Sequence, residues 1–540
     1  MKDISSTASF VDFTLENFIY VDKTEYIPKL VKLKRVFISR PRRFGKSLTL
    51  DTIGTLFEKG VEPYFKDTWI YDKWTEPTYP VFRLSFLNLD NSSLDLFKKQ
   101  LNSIISEFAN KINVKGYVKK TEPEDSILSL LEKLEEETRQ IVILIDEYDY
   151  QLTSNINNDA LYKQFQQKIK RFYANIKDKF AIKFLGITGV TRLKDVEIFS
   201  IGSDINDITN ESAFSQLIGF TRDEIKKYYI DYLKLAASYE NKCRVEEVTD
   251  AQIESMLDMM AQNYDGYCFD EDYEKKVFNT WSVNKFFQTM VGKKKVQFGE
   301  YWYDNGGLPS ILVNYLKTHE LNIFEYLDKD KFLKVSSDDF KNPTALTTIN
   351  QNVLMCQTGY LTLRSDLNKT STVALGIPNG EIYKALNRLL ANNIFKGNTD
   401  ITDDYGRSLL EVGTVDDIIN LFNSALNSVS YDNYPIVSES SVQNMLKLYL
   451  LGAHQKVLSE VHEAKGRADL VVNTDNRRIV FEFKYAKNET EAKTKLSEAV
   501  EQIKTRDYGN ILPKKAELIR IAAVFNADPK VRAFTEFQLV

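Results

Sequence analysis

The stretch RVFISRPRRFGKSLTLDTIGTLF occupies residues 35–57 and predicts three consecutive elements. Its first five residues form a short apolar run of the length of a buried strand. From residue 48 onward, apolar residues stand at positions 48, 50, 53, 56 and 57, which is close to helical spacing. The intervening residues therefore form a loop that connects a strand to the beginning of a helix.

That loop ends in Gly45, Lys46 and Ser47, the closing part of the phosphate-loop pattern G-x-x-x-x-G-K-[ST]. The glycine lets the backbone approach an anion, Lys46 places a charge on the outer phosphates, and Ser47 can hold Mg²⁺. Where the pattern has its first glycine, this chain has Arg40. On their own the three residues are a weak signal.

A second feature about a hundred residues later supports the first. The apolar run IVILIDEYD, residues 141–149, predicts a buried strand that ends in two acids. Asp146 would help to hold Mg²⁺, and Glu147 would polarise the attacking water. In the following strand, predicted over 180–190, Thr188 or the nearby Thr191 would contact the γ-phosphate or the water. The alternative is a basic surface turn and a strand whose acids only mark its exit.

The pattern along the chain predicts several domains. Apolar strands alternate with helices in the first part, which indicates a parallel sheet covered on both faces. Thr221 and Glu224 form a capping box, after which helical patterns dominate to about residue 345. The predicted domains are 1–220, 221–395 and 405–540. Further elements predicted along the chain are a strand over 81–89, helices over 95–112 and 126–140, a turn-rich loop at 303–310, and a linker at 392–408.

Composition excludes several classes of protein. The net charge of −5 excludes a generally basic nucleic-acid binder, so any such contact uses a local patch. Three scattered cysteines and three histidines make a disulfide framework or a histidine-built metal site unexpected, which leaves carboxylates as metal ligands. No apolar run has the length of a signal peptide core or a membrane span. We therefore expect a cytoplasmic protein, or a nuclear one in a eukaryote, that is not secreted.

Three motifs together, RPRRFGKSL (40–48), IDEYD (145–149) and GVTRL (189–193), resemble the AAA-ATPase-like domain family. The resemblance extends through FTRDEI, YDGY and GGLPS to about residue 310. It implies that the motif residues bind and hydrolyse ATP with Mg²⁺ held at Ser47 and Asp146. Arg192 would be a sensor or finger, although a salt-bridged arginine is an equal alternative. The nucleotide-binding residues implied in this way are Arg40, Arg43, Phe44, Gly45, Lys46, Ser47, Leu48, Asp146, Thr188 and Arg192, with Glu147 as catalytic residue.

A second candidate site lies near the end of the chain. Asp469 belongs to a strand predicted over 468–473, and Glu482 and Lys484 belong to the next strand, predicted over 477–485. Because side chains alternate along a strand, Glu482 and Lys484 share a face. Two hairpinned strands could bring Asp469 and Glu482 onto one Mg²⁺ or Mn²⁺, beside Lys484, which suits phosphodiester hydrolysis. The alternative is a strand face that carries ordinary charges.

The surrounding elements add a second resemblance. A helix over 438–452, three strands, a helix over 491–505 and a last strand resemble the PD-(D/E)XK nuclease core, as do GRADLV and VFEFKY. The resemblance implies Glu439 as the first acid of the site and Gln502 as a residue facing it. Other residues keep open roles: Glu460 and Glu463 as rival acids, Tyr508 as a base-stacking or core residue, and His454 and His462 as surface or core fillers.

The predicted fold class is α/β. It comprises a P-loop ASCE/AAA-like parallel sheet domain with a helical lid region and a C-terminal restriction-endonuclease-like α/β domain. The predicted function is an ATPase coupled to a metal-dependent nuclease that acts on DNA or RNA, with defence against mobile DNA as a possible role. A nucleotide-dependent switch that binds nucleic acid or protein without cutting, and a non-enzymatic adaptor, are the alternatives. The oligomeric state stays open: ATPases of this type often act as rings, which would make the protein a homo-oligomer, but the relatives of the family vary.

Overall fold

The apolar run that begins at Arg35 forms a buried strand, as predicted. A computed structural model of the chain describes residues 1–193, 204–302, 310–316, 319, 323–343, 345–395, 406–453, 455–463, 466–510 and 516–540. These residues divide into two compact units, and each unit is built from two stretches of the chain. The first unit comprises Met1–Leu321 and Asp330–Ile382, and the second comprises Asn322–Lys329 and Tyr383–Val540.

Five parallel strands form the central sheet of the first unit. Its strand order is β2-β3-β4-β1-β5. Strand β4 therefore lies between β1, which precedes the loop at residue 40, and β3, which ends at the acids Asp146 and Glu147. The strands are buried over nearly their whole length because helices cover both faces. Their bounds are Arg35–Ser39 (β1), Val81–Ser85 (β2), Ile141–Asp146 (β3), Ile182–Gly189 (β4) and Asn206–Asp207 (β5).

Seven helices of the described residues accompany this sheet. The two helices predicted after β2 are present, although their bounds shift by one to four residues. The α-helices are Phe10–Leu15 (α1), Ile27–Leu33 (α2), Lys46–Lys59 (α3), Leu94–Lys111 (α4), Pro123–Glu136 (α5), Tyr150–Ser154 (α6) and Asp159–Ile176 (α7). Short 3₁₀ segments in the chain occupy Thr24–Tyr26, Phe86–Asn88, Val245–Glu247 and Ile323–Glu325.

A mainly helical region completes the first unit. It begins with the predicted capping box, in which Thr221 and Glu224 satisfy each other's backbone N–H groups. A small antiparallel sheet with the order β6-β8-β7 follows the helices. The elements are α8 (Arg222–Tyr228), α9 (Ile230–Asn241), α10 (Asp250–Tyr264), α11 (Thr280–Lys293), α12 (Ser310–Leu316), β6 (Leu333–Ser336), α13 (Ser337–Lys341), α14 (Gln351–Gln357), β7 (Thr362–Leu363) and β8 (Thr372–Gly376).

The second unit contains a mixed sheet with the order β13-β12-β11-β10-β9. Only β11 and β12 pair in parallel, and the other neighbours are antiparallel. After α15 (Gly380–Ile394), which begins at the end of the first unit, the elements are α16 (Arg407–Val412), α17 (Val415–Asn427), α18 (Glu439–Gly452), β9 (Lys456–Glu463), β10 (Gly466–Asn473), β11 (Arg477–Ala486), α19 (Glu489–Arg506), β12 (Glu517–Asn526) and β13 (Ala533–Leu539).

Some boundaries differ from the predicted ones for identifiable reasons. The strand predicted over 81–89 ends at Ser85, because Ser85 pairs with Asp146, where the neighbouring strand β3 also ends. That strand ends early because Glu147 has φ of 49°, which leaves the extended conformation. Most of the turn-rich loop at 303–310 and of the linker at 392–408 lies outside the described residues, as does His454.

The predicted domain limits at residues 220, 395 and 405 stay a prediction. Among the described residues, no helix combines the length and apolar character that crossing a bilayer needs.

The core of the second unit gives a stability prediction. Phe422 of α17 is fully buried, and its ring centroid lies 5.3 Å from that of Phe481 and 6.5 Å from that of Phe534. We expect Phe422→Ala to cost about 3–5 kcal/mol of local stability, because a cavity replaces the ring. Hydrogen exchange of the β11 amides would then accelerate by more than about a hundredfold. Leu539→Ala, at a side chain that is 58% exposed, is the control and should leave exchange unchanged.

Candidate functional site

The loop between β1 and α3 is shaped by two residues in the left-handed region. Gly45 has φ of 101° and is the N-cap of α3, and Arg43 has φ of 67°. A Cβ at Gly45 would meet no atom within 4 Å, so the backbone angle, not crowding, requires glycine there. The turn leaves the first N–H groups of α3 at the end of the loop, which is the arrangement that binds phosphate.

Lys46 lies at the centre of this loop with its charge buried. Its Nζ donates hydrogen bonds of 2.8 Å to the carbonyl oxygen of Arg40 and 2.9 Å to that of Pro41. Burial lowers the pKa of Lys46, while the charges of Asp146, Glu147 and nearby Asp149 oppose this effect. The lysine is therefore held over the loop by neutral carbonyl groups, which a phosphate oxygen could replace.

Asp146 connects the loop to two neighbouring strands. Its Oδ2 accepts a hydrogen bond of 2.5 Å from the Ser47 hydroxyl, and its Oδ1 accepts one from the Thr188 hydroxyl. Thr191, the alternative to Thr188, instead donates to the buried Asp149 through both its amide, at 2.6 Å, and its hydroxyl, at 2.5 Å. The structure thus places Ser47, Asp146 and Thr188 in one cluster and assigns Thr191 to a separate buried contact.

Glu147 follows Asp146 and faces the same region. Burial raises the pKa of Glu147, Asp146 adds to the increase, and Lys46 and Arg42 oppose it. A carboxyl with a raised pKa accepts a proton near neutral pH more readily than an ordinary one, as a general base must. Arg42, which from the sequence could add charge near the phosphates or reach a neighbouring subunit or nucleic acid, is close enough to affect the pKa of both Lys46 and Glu147.

A cavity of about 410 Å³ opens beside the loop. It is large enough for a nucleotide, and six of the predicted nucleotide-site residues from 43 to 48 line it together with Glu147. Other parts of its lining are distant in sequence. They include residues 5–8, Tyr20 and Lys23 near the N-terminus, and Thr280, Trp281 and Asn284 of α11.

Two predicted nucleotide-binding arginines lie elsewhere. The side chain of Arg40 is fully buried and lines a different, smaller cavity, so only its carbonyl oxygen touches the site, through Lys46. Arg192 forms an ion pair with Asp207 and lines that smaller cavity too. For Arg192 this geometry corresponds to the salt-bridged alternative.

In the second unit, Asp469, Glu482 and Lys484 come together at the β10–β11 hairpin. The register pairs Leu470 with Phe481, so Asp469 and Glu482 occupy the next positions along the two strands. The Asp469 carboxylate accepts a 2.8 Å hydrogen bond from the Phe483 amide. Lys484 Nζ donates to Glu482 Oε1 at 2.8 Å. The acids thus lie on the same side of their sheet, with the lysine beside them.

Glu482 is the least solvated carboxyl of this group. Its side chain is fully buried, and among the described residues its Oε2 has no hydrogen-bond partner. Burial raises the pKa of Glu482 to about 7, and the charge of Asp469 adds to the shift, while Lys484 opposes it. A buried acid beside a half-buried one, with an oxygen that has no partner among the described residues, forms a site that a cation would stabilise.

The remaining predicted residues lie around this pair. Glu439, at the first turn of α18, is 3.5 Å from Lys484 Nζ. The Gln502 amide donates to the Tyr508 hydroxyl at 3.3 Å, and Tyr508 is fully buried. The side chains of Glu460, His462 and Glu463 lie outside the described ones.

The donors present at the two sites determine which metal each could bind. In the part of the chain that the structure describes, no cluster of three or more histidine, cysteine, aspartate or glutamate side chains is arranged around a metal position. Each candidate site offers fewer: Ser47 and Asp146 in the first, Asp469 and Glu482 in the second. Mg²⁺ commonly takes one or two carboxylates and completes its shell with water and substrate phosphate, so both donor sets fit it.

Comparison with known families agrees with both resemblances. Residues 5–199 match the family model described as predicted AAA-ATPase, and residues 437–535 match that of the PD-(D/E)XK nuclease superfamily. The chain carries an AAA-ATPase-like domain followed by a PD-(D/E)XK nuclease-like domain. The two families were predicted in this order, and the predicted α/β fold class is confirmed.

Known proteins similar to the chain add little beyond this. An uncharacterized protein of the vnfD 5' region of Azotobacter chroococcum mcd 1 is 25% identical over 538 residues, covering 95% of this chain and 94% of the relative. Cdc6p of Pyrobaculum aerophilum matches at 11% identity with a TM-score of 0.23, covering 68% of this chain and 93% of its own. The Aeropyrum pernix Orc1 protein, solved in complex with DNA, matches at 11% identity with a TM-score of 0.26, covering 69% and 95%. Both scores are too low to support an argument.

The nuclease-like domain contains one further basic residue near its acids. Arg506, at the end of α19, donates to the Tyr508 hydroxyl at 2.9 Å, and the charges of Glu482 and Asp469 act on it. A Cβ at Gly466 would lie 2.6 Å from Arg506 Cδ, so glycine there makes room for the arginine. The sequence signal for this contact is only a glycine at the start of β10, which is not specific.

The acid pair predicts a pH dependence of stability. Because the folded-state pKa of Glu482 is about 7, above its ordinary 4.5, the folded nuclease-like domain retains a proton that the unfolded chain has lost. Its free energy of unfolding without metal should fall by roughly 3 kcal/mol as pH rises from about 4.5 to 7. Asp469→Asn removes the like charge and should reduce this fall, as urea denaturation from pH 5 to 8 would show. The exposed Asp432→Asn is the control.

Proposed function

We propose that the AAA-ATPase-like domain binds and hydrolyses ATP and that the nuclease-like domain hydrolyses phosphodiester bonds of nucleic acid. The observation that supports this most is the loop cluster. Lys46, Ser47 and Glu147 line a nucleotide-sized cavity, and Asp146, ninety-nine residues from Ser47 in sequence, accepts the Ser47 hydroxyl hydrogen bond.

Each residue of the first site would have a separate task. Lys46 would exchange its two carbonyl contacts for oxygens of the outer phosphates. Ser47 and Asp146, already hydrogen-bonded to each other, would hold Mg²⁺. Glu147 would orient the attacking water and receive its proton, a role that its raised pKa supports. Arg42 would add positive charge near the γ-phosphate.

At the second site, Asp469 and Glu482 would together bind one divalent cation. Glu482 Oε2, which has no hydrogen-bond partner among the described residues, would be one of the ligand atoms. Such a cation supplies Lewis-acid polarisation of the scissile phosphate. Lys484 would stabilise the negative charge that develops there, and Glu439 would hold Lys484 in place. Arg506 would contact a neighbouring phosphate of the strand. The raised pKa of Glu482 implies that a bound cation displaces a proton near neutral pH.

Substitutions in the first site test the ATPase assignment. Lys46→Ala should weaken ATP binding by at least about tenfold, because it removes the buried ammonium group that would contact the phosphate oxygens. Glu147→Gln should retain binding but slow hydrolysis by about a hundredfold or more. Isothermal titration and phosphate release measure the two effects. Lys111→Ala, at a lysine that is 70% exposed, and Glu136→Gln, at a glutamate that is 64% exposed, are matched controls. Unchanged turnover in Glu147→Gln would remove its assigned role.

A nuclease assay tests the second site. Purified protein is incubated with single- and double-stranded DNA and RNA, with Mg²⁺ or Mn²⁺, with and without ATP. Lys484→Ala should reduce cleavage by about a hundredfold or more while the domain remains folded. Lys493→Ala, whose side chain is 63% exposed, should cut normally. If no nucleic acid is cut under any condition but binding is measurable, the nucleotide-dependent switch that binds without cutting replaces the nuclease.

The cellular role is a wider proposal that rests on this pairing of domains. A cytoplasmic ATPase that controls a nuclease suits defence against mobile DNA, in which uncontrolled cutting would harm the cell. Assembly into a homo-oligomer would fit the same scheme. Survival of phage challenge by cells that express the wild type but not Lys484→Ala is the expected result.

A further inference from the structure

The nuclease-like domain carries a group of basic and aromatic side chains at one end of its sheet. There β11 continues from Lys484 to Ala486, and its parallel neighbour β12 ends at Asn526. None of these side chains belongs to either candidate site. We name the group the turn surface, and it comprises Tyr431, Tyr485, Lys487, Lys530 and Arg532.

Arg532 supplies an accessible positive charge to the turn surface. Its guanidinium carbon lies 3.4 Å from the centre of the Tyr431 ring, and Tyr431 is 37% exposed. Of its nitrogen atoms only Nε is buried without a partner, and no hydrogen bond or ion pair joins the guanidinium to another described residue, the exposed Asp432 included. The ring therefore holds the group flat while the Nη atoms remain open to an anion from solvent.

The backbone at Arg532 has a conformation that favours glycine. Its φ is 44°, and the N–H groups of Val531, at 2.8 Å, and Arg532, at 3.1 Å, both donate to the carbonyl oxygen of Asp528. Glycine would adopt this turn without strain, whereas an arginine is strained in it. The turn itself does not need an arginine, so the side chain indicates a role outside the turn.

The other charges on these turns leave the turn surface basic. Lys487 and Lys530 are exposed and form no ion pair with a described residue. The Asp528 carboxylate accepts a hydrogen bond of 2.9 Å from the Lys530 amide, and the Glu491 carboxylate accepts one of 2.8 Å from the Lys487 amide. Three cations without ion pairs, including Arg532, thus form a local basic patch in a chain of net charge −5.

The strand register places Arg532 within reach of a nucleic acid strand bound at the acids. Ala486, two residues after Lys484, pairs with Asn526, and Asn526 pairs with Ala533. With about 4.8 Å between strands and about 3.3 Å per residue, the backbones of Lys484 and Arg532 lie roughly 12–15 Å apart. A nucleic acid strand carries a phosphate about every 3.4 Å along its axis, so one strand can contact both places.

Tyr431 also connects the turn surface to the acid site. It lies in the segment that leads into α18, and Glu439 of that helix is 3.5 Å from Lys484 Nζ. Burial raises the pKa of Tyr485, and Tyr431 adds to the increase, which places Tyr431 near the end of β11. The turn surface therefore adjoins the acid site at the end of the sheet.

We propose that the turn surface binds the backbone of the nucleic acid strand beyond the phosphate that is cut. Arg532, held on Tyr431, contacts one phosphate through its Nη atoms, and Lys487 and Lys530 add positive charge around it. This inference rests on the proposed nucleic-acid substrate of the domain. Arg532 is a binding residue here, since it does not touch the reacting atoms.

Fluorescence anisotropy of a labelled single-stranded DNA tests the contact. The full chain with Lys484→Ala is the parent protein, so that binding is measured without cleavage. Adding Arg532→Met should weaken binding by about tenfold at low salt and lower the slope of log Kd against log salt by about 0.7, the value for one phosphate contact on a single strand. Tyr431→Ala should also weaken binding, whereas Tyr431→Phe, which keeps the ring, should bind like the parent.

Arg244→Met is the control, at a side chain that is 82% exposed and lies in the first unit. It should leave the affinity and the salt slope unchanged. If the parent binds DNA and Arg532→Met binds equally with the same slope, the turn surface is wrong while the proposed substrate stands. If the parent binds neither DNA nor RNA, the nucleic-acid substrate is wrong and this proposal falls with it.

Chemical modification of the parent protein gives a readout that does not depend on the folding of an Arg532 variant. Phenylglyoxal modifies accessible guanidinium groups, and mass spectrometry of peptides locates them. We expect Arg532 to be modified in the free protein and protected by saturating DNA, while Arg244 is modified in both. Equal modification of Arg532 with and without DNA, or none in the free protein, would overturn the proposal.

Discussion

The ammonium group of Lys46, buried against two carbonyl oxygens, is the contact on which the N-terminal site depends. A buried charge requires partners, and here they come from the loop that precedes the helix rather than from an acid. This choice keeps Asp146 available to Ser47 and Thr188, and it leaves Glu147 facing the cavity without a strong ion pair. A direct Lys46–Asp146 pair would have neutralised both groups before any phosphate arrived.

The two candidate sites accommodate their buried charges in different ways. In the ATPase-like domain, Lys46, the cation proposed to bind phosphate, is satisfied by the dipoles of two carbonyl groups, which an anion can replace. In the nuclease-like domain, Lys484 is paired with Glu482, and the excess charge is negative, which raises the pKa of Glu482. The first arrangement favours an arriving anion, and the second favours an arriving cation. Each site therefore holds an unbalanced charge whose sign matches its expected ligand.

The sequence predicted features that are local or have a regular period. Gly45, Lys46 and the acids after β3 are recognisable because their neighbours define a strand, a loop and a helix. Glu482 and Lys484 follow from strand alternation. The position of Arg40 could not be predicted, since Thr209 and Phe269, which hold its guanidinium, lie far away in the chain. Strand β13 was not predicted because it is an edge strand with few buried residues, and its pairing depends on β12.

The parallel pairing of β11 with β12 has a consequence for how the nuclease-like domain is assembled. Parallel neighbours need a crossover, and α19 supplies it, so one continuous β-α-β segment contains Glu482 and Lys484 at its start and Gln502 and Arg506 before its final strand. Asp469 and Glu439 enter from outside that segment. Glu482, Lys484 and Arg506 are thus inherited, swapped or lost as one block of polypeptide, whereas Asp469 and Glu439 must be matched to it from two other places in the chain.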